Sequence, residues 1–387
     1  MTTHSPQGFA TGLAAKLATR SRHVCMFLGA GASKACGLPD VAELESRVRS
    51  ELGDADRAAF DRQIDGRNIE QVLSRLRRIA GLVTGDDKVD GLTAAQAATL
   101  DATICQSIVK ALDTTNANFA PADSLAAWIA RADYRLPVEL FTVNYDLLLE
   151  TALERLGVPY FDGFVGNLNA RFRTELVESL PGTESGFLPS LFVRLWKLHG
   201  SVNWMRANEG QQIVRIGQPV PEGLPAAIYP SDAKYEESRR VPFIVLQDRL
   251  RRALHTPETL VLIAGYSFGD EHLNEMIFDA ATRRERSEFV VFCYADLPAS
   301  LCERAGRTPN VQLIGRTEAI LGGVRAAWKP PTDAAPDLWE GGEDGKLALP
   351  DFSHLASYLA RSSGLGDPPG ADHSISSDGA RNEANDA

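Results

Sequence analysis

Cysteine is scarce in this 387-residue chain, and none of the five residues (Cys25, Cys36, Cys105, Cys293, Cys302) falls in a C-x-x-C pair. The scatter argues against a disulfide framework or a zinc knuckle and for buried free thiols, so no metal is expected. Long apolar runs are missing too: none reaches the ~18 residues that cross a bilayer, and no membrane partner is expected. The opening segment MTTHSPQGFATGLAAKLATRSR has no apolar core followed by a cleavage site, and the expected compartment is the cytoplasm. Positive charge is in deficit, with 40 Lys and Arg against 51 Asp and Glu and a net charge of -11. That balance disfavours broad nucleic-acid binding. The basic run RRER at 283–286 reads as a solvated helix face.

What is present is a series of short apolar runs rich in β-branched or aromatic residues: Val24–Leu28, Val138–Thr142, Leu191–Leu198, Thr259–Gly265, Phe289–Ala295 and Val311–Ile314. Each reads as a buried strand, and segments of helical periodicity separate several of them. The pattern predicts an α/β fold, a mostly parallel sheet flanked by helices. Residues 1–360 are expected to form one domain, with an inserted helical lobe at 42–137. In that lobe Ile69, Val72, Leu73, Leu76 and Ile79 share one helical face, and Asp123 or Ser124 is placed to cap a later helix. Residues 203–240 read as loop, and the polar stretch 361–387 as disordered.

Chemistry-bearing residues cluster at the ends of four strands. The first leaves through Gly29-Ala30-Gly31, with a helix expected to start at Ser33; glycines there let a backbone approach a ligand closely. Lys34 stands where the common dinucleotide fingerprint has its third glycine. The second strand ends in Thr142, Asn144 and Asp146, the third in His199, Gly200 and Ser201. The fourth ends in Gly265, Tyr266, Ser267, Asp270, His272 and Asn274. In a parallel sheet all these ends converge on one edge, where ligands bind.

In this order, G-A-G-x-S with a following G-L-P-D, then T-x-N-Y-D, then H-G-S, the motifs resemble those of the sirtuin fold. The stretches NIEQVL and GYSFGDEHLN are similar to its bacterial sirtuin-like branch, known for NAD hydrolysis in phage defence. The resemblance covers about residues 24–320. It departs from the protein deacylases, whose zinc module has two C-x-x-C pairs after the H-G motif. Here no cysteine lies between His199 and Cys293, and VAELE follows Asp40 where deacylases carry an aromatic-Arg pair. The resemblance implies a Rossmann-like, NAD-binding catalytic domain over residues 1–360, with NAD+ as substrate bound around Gly29, Ala30, Gly31, Ser33, Asp40, Thr142, Asp146, Gly265, Tyr266 and Ser267.

Cleaving the nicotinamide–ribose bond builds positive charge on the ribose and needs an orienting group, a base and a dry pocket. Asn144 suits the first role because its amide both donates and accepts. His199 suits the second, with an ordinary pKa near ~6.5. The resemblance assigns them the same roles. Asp146 either holds the ribose or caps the following helix, and Ser33 either binds ligand oxygens or is an N-cap. Asp270 and His272 lie beside the cofactor or pin a turn, and Tyr294 to Asp296 reach toward the adenosine end. The expected activity is NAD+ hydrolysis to ADP-ribose and nicotinamide, as a gated effector of antiphage defence. A zinc-free deacylase or ADP-ribosyltransferase and a non-catalytic NAD or ADP-ribose sensor are the alternatives. Control is expected from homo-oligomers or from a separate sensor, as with family members that work with a HerA-type ATPase or an Argonaute-like protein.

Overall fold

The apolar runs of the sequence become the middle of one nine-stranded sheet because each is buried on both faces. The computed structural model describes residues 2–179, 192–207, 212–228, 241–332, 338–342 and 344–362. The chain begins with α1 (Pro6–Ala18), β1 (Val24–Leu28) and a short α2 (Ala30–Ala35). Five helices follow: α3 (Val41–Glu51), α4 (Asp54–Ile64), α5 (Ile69–Leu82), α6 (Ala94–Ala111) and α7 (Ala120–Ala130). Next come β2 (Glu139–Thr142), α8 (Leu148–Arg155), β3 (Tyr160–Phe161), β4 (Phe164–Val165), β5 (Ala170–Phe172) and α9 (Thr174–Glu178). The middle continues with β6 (Val193–Lys197), β7 (Gly200–Ala207), β8 (Gln212–Arg215), β9 (Ala226–Ile228) and α10 (Phe243–Leu254). Then follow β10 (Leu260–Ala264), α11 (Glu271–Arg283), β11 (Glu288–Cys293), α12 (Ala299–Arg307) and β12 (Val311–Gly315). The last elements are β13 (Glu318–Leu321), β14 (Val324–Ala327), β15 (Trp339–Glu340), β16 (Lys346–Leu347) and α13 (Phe352–Ser362).

The large sheet has the order β14-β13-β12-β11-β10-β1-β2-β6-β3. From β3 to β12 every pairing is parallel, and only the β12-β13-β14 edge is antiparallel. This is the expected Rossmann-like class. Alternate residues of β1 feed two cores: Val24, Met26 and Leu28 face one, with α1, α5 and α13, while Cys25 and Phe27 face the other, with α10 and α11. The chain runs outward from β1 through β2 to β6, then returns to β10 on the far side of β1. The strand order therefore reverses between β1 and β10, the position where open parallel sheets form a ligand crevice.

Three local expectations are corrected. The helix after β1 starts at Ala30 with Gly29 as N-cap, so Ser33 sits inside it and is no cap. The α7 helix starts at Ala120, where Asn118 Oδ1 accepts from the Ala120 amide (3.1 Å), upstream of Asp123 and Ser124. The stretch read as loop from 203 holds β8, β9 and most of β7, which with β4 and β5 make a second, five-stranded sheet. Within it the residues 219–225 are loop as read; 208–211 and 229–240 lie outside the described residues. Arg361 and Ser362 end α13, and the rest of the tail read as disordered, 363–387, also lies outside them, as does Leu191. The RRER run is exposed at the carboxyl end of α11.

Candidate functional site

The glycines after β1 and β10 serve each other. A Cβ on Gly29 would lie 2.5 Å from Gly265 O, one on Gly31 2.7 Å from Gly265 Cα, and one on Gly265 2.4 Å from Ala32 N. Gly29 N donates to Ala264 O (3.1 Å) and Gly31 N to Gly265 O (2.8 Å). The missing side chains thus let two protein segments pack backbone against backbone. Gly265 has φ of 64°, a left-handed backbone that glycine adopts without strain. Ala30, half-buried, lines the cleft beside this junction.

From the junction a hydrogen-bond chain runs to β2. Asn144 Nδ2 donates to Gly29 O (2.9 Å) and to Ser33 Oγ (2.8 Å). Ser33 Oγ in turn donates to Asp146 Oδ2 (2.5 Å), whose other oxygen accepts from Leu148 N (3.1 Å). Asp146 therefore fixes the start of α8 and anchors Ser33 as well. Because Gly29 O can only accept, the amide nitrogen of Asn144 is assigned to that side. Its Oδ1 then has no protein partner among the described residues. Thr142 is buried, donating to Leu28 O (3.0 Å) and accepting from Asn144 N (3.0 Å), so it shapes the turn that carries Asn144.

His199 follows β6 and is 5% exposed. Its Nε2 lies 3.3 Å from Asp270 Oδ2, and its Nδ1 is 3.9 Å from Glu70 Oε1, with no hydrogen-bond partner among the described residues. Burial alone would lower the histidine's pKa, but the Asp270 bond and the two carboxylate charges outweigh it and raise it. Asp270 also caps α11, accepting from His272 N (2.9 Å) and Leu273 N (3.2 Å). Burial opposes its ionisation; His199 and those two amides prevail and hold it below the usual carboxylate range. His272 itself is exposed. Gly200 next to His199 (φ 93°) is required by packing, since a Cβ there would meet Ala227 O at 2.2 Å.

The remaining expected residues divide. Asp40 lines the cleft beside Ser33 and Asn144, but its carboxylate caps α3 by accepting from Glu43 N (3.0 Å) and pairs with Lys34 (2.5 Å). Tyr266 stacks on Phe27 and Phe268 and donates to Asn274 Oδ1 (3.0 Å), which fixes the β10–α11 loop. Ser267 is exposed in that loop, and Phe268 holds a φ of 57°. Exposed Tyr294 follows β11, with the Arg316 guanidinium over its ring.

Three residues of the site were not expected from the sequence. Glu70, on the first turn of α5, accepts from the Tyr145 hydroxyl (2.7 Å) and faces His199. Tyr145 is buried between Asn144 and Asp146. Lys197, also buried, donates to Tyr145 O (3.3 Å), Asp146 O and Glu150 Oε1 (2.9 Å), bracing the loop from below. Their only sequence signal was position inside or beside the quoted motifs.

His23, Cys25 and Glu139 bring possible ligand atoms within 4.8 Å of one another. Glu139 begins β2, at the end of the sheet opposite the cleft, and its carboxylate is already engaged. Arg249 binds both oxygens (2.7 and 2.5 Å), Trp196 Nε1 donates to one (2.7 Å), and His23 Nε2 lies 3.0 Å from the other. Burial, then the Glu139 charge, push the Cys25 thiol well up, away from the thiolate a metal needs. The donor set fits a buried ion-pair cluster better than a metal centre.

No curated protein matches the chain. The family model described as a SIR2-like domain matches residues 138–314, a little under half of the chain. That segment runs from the residue before β2 to the penultimate residue of β12 and contains Asn144, His199 and Asp270, but neither β1 nor its glycines. SIR2-like domains are typically NAD-dependent enzymes, so the match indicates NAD-related activity in general terms. In sequence from β2 to β12, and in its Rossmann-like sheet, this chain is similar to the SIR2-like domains.

Proposed function

We propose that the protein hydrolyses NAD+, with Asn144 as orienting group and His199 as base. The carrying observation is a pair of polar atoms without a protein partner among the described residues, Asn144 Oδ1 and His199 Nδ1, among carboxylates at the carboxyl edge of a SIR2-like segment. Those atoms suit a hydroxylated, cationic ligand part: the ribose and its pyridinium. In the reaction the C1′–N bond breaks and its electron pair neutralises the nicotinamide ring. Water forms the new C–O bond to C1′, and its proton passes to the base. Glu70, Asp146 and Asp270 supply negative charge near the carbon where positive charge develops. Acidic surroundings would repel a pyrophosphate, so the reactive end of the dinucleotide fits here better than its middle.

The absence of cysteine between His199 and Cys293 supports water over an acyl-lysine as acceptor. The role we propose is a gated effector of antiphage defence, held off by self-assembly or by a separate sensor such as a HerA-type ATPase or an Argonaute-like protein. Gating is supported by the cleft itself. Its volume is ≈ 60 Å³, far below the ~300 Å³ of a small ligand pocket. His199 and Asp270 lie outside the lining of this cavity, and in the reading proposed here the wall of Val41, Leu44, Ile69 and Leu73 from α3 and α5 withdraws to admit a dinucleotide beside Asn144. Product analysis tests the reading: equimolar nicotinamide and ADP-ribose without any peptide acceptor is expected. Turnover that requires an acylated peptide, or binding without nicotinamide release, contradicts it.

A further inference from the structure

We infer that Glu70 is a positioning residue for His199, receiving the charge of the imidazolium at Nδ1; the inference rests on the hydrolase reading above. Asp270, fixed as the α11 cap, takes the Nε2 side of the ring. In the neutral imidazole that contact holds the proton on Nε2 and leaves the lone pair on Nδ1. Nδ1 is therefore the atom that accepts a proton, and it is buried without a hydrogen-bond partner among the described residues. The group in front of it is the Glu70 carboxylate, at 3.9 Å, inside ion-pair reach and outside hydrogen-bond range.

Glu70 does not drift freely, because the buried Tyr145 hydroxyl donates to it at 2.7 Å. Tyr145 directly follows Asn144, so one contact ties the base's counter-charge to the orienting amide. When Nδ1 takes the proton of a water or ribose hydroxyl, the imidazolium gains a donor aimed at Glu70, and the proton later leaves to solvent. The charged groups acting on the ring are Glu70 from α5 and Asp270 from the α11 cap; the Tyr145 phenol reaches Glu70, and the Tyr266 phenol donates to Asp270 O. Arg77 lies two turns further along α5.

The test uses the full chain and two readouts: the His199 imidazole titration followed by NMR, assigned with His199→Asn, and nicotinamide release from NAD+ against pH. The probe variant is Glu70→Gln, whose amide oxygen still accepts from Tyr145, with Glu70→Asp as the charge-retaining partner. Glu70→Gln is expected to move the titration and the acid limb of the rate to lower pH, while the plateau rate falls about tenfold. Glu70→Asp falls between it and the wild type. An unmoved His199 titration in Glu70→Gln overturns the inference, as does a rate loss with no movement of the acid limb. A moved titration with no nicotinamide release from the wild type, even when it is supplied with its activating conditions, keeps the Glu70–His199 pairing and removes the hydrolase reading instead.

Discussion

Ser33 and Asp146, 113 positions apart in the chain, share a buried hydrogen bond of 2.5 Å. The serine oxygen that donates to Asp146 also accepts from Asn144, so the carboxylate orients the amide through one hydroxyl. This three-residue chain is why a lone asparagine after a strand adopts one fixed presentation rather than acting as an ordinary turn residue.

Breaking that chain has a defined effect. Ser33→Ala removes the acceptor for Asn144 and leaves Asp146 with an unpaired buried oxygen, a cost of about 1–3 kcal/mol. Nicotinamide release should fall about tenfold while the melting temperature drops only modestly. Rates and melting curves measured on the same preparation check it.

The glycine junction predicts stability more than ligand contact. Gly265→Ala combines a left-handed backbone with a Cβ 2.4 Å from Ala32 N, and should cost about 2–5 kcal/mol. Gly37→Ala is the comparison: φ is also positive, at 88°, but nothing lies within 4 Å, so the cost is nearer ~1 kcal/mol. Urea unfolding of both variants ranks them, and equal losses would deny the backbone contact its role.

Acid sensitivity follows from Glu139. Burial would raise its pKa, but Arg249 and His23 prevail and hold it far below the usual range. Its folded-state pKa is thus depressed relative to ~4.3 in the unfolded chain. The stabilisation is complete above that unfolded value and is lost as pH falls through the folded one. Arg249→Met should destabilise the protein by about 3–5 kcal/mol at neutral pH, by leaving a buried carboxylate short of its partner. Stability measured from pH 7 to pH 3 should decline only below pH ~4 in the wild type.

The activity profile follows from His199. Its pKa is raised in the folded protein, so the neutral, proton-accepting ring becomes abundant only as pH climbs through that raised value. Asp270→Asn should move the acid limb of nicotinamide release to lower pH. Asparagine caps helices as well as aspartate does, so the melting temperature should scarcely change. A limb that stays in place would exclude His199 as the titrating base.

The strands were legible because runs such as Val24–Leu28 and Leu260–Ala264, buried on both faces, need no periodicity to be recognised. The antiparallel strands β7 to β9 were not, since β7 mixes Gly200, Asn203 and Arg206 with its apolar residues and β8 and β9 are only four and three residues long. Asn144, Asp146 and His199 could be placed at one edge by strand logic alone. The partner of each glycine could not, because what fills the space opposite a missing Cβ is decided by tertiary packing. Glu70 was hidden for the same reason: on α5 it reads as one more exposed charge beside an apolar stripe, and only the approach of α5 to His199 makes it part of the site.

The most direct test of the account is nicotinamide release from NAD+ by the wild type, Asn144→Ala and His199→Ala, each supplied with its activating conditions. The account predicts release by the wild type and a loss of at least about a hundredfold in both variants, with folding intact. Release that continues undiminished in either variant would contradict it.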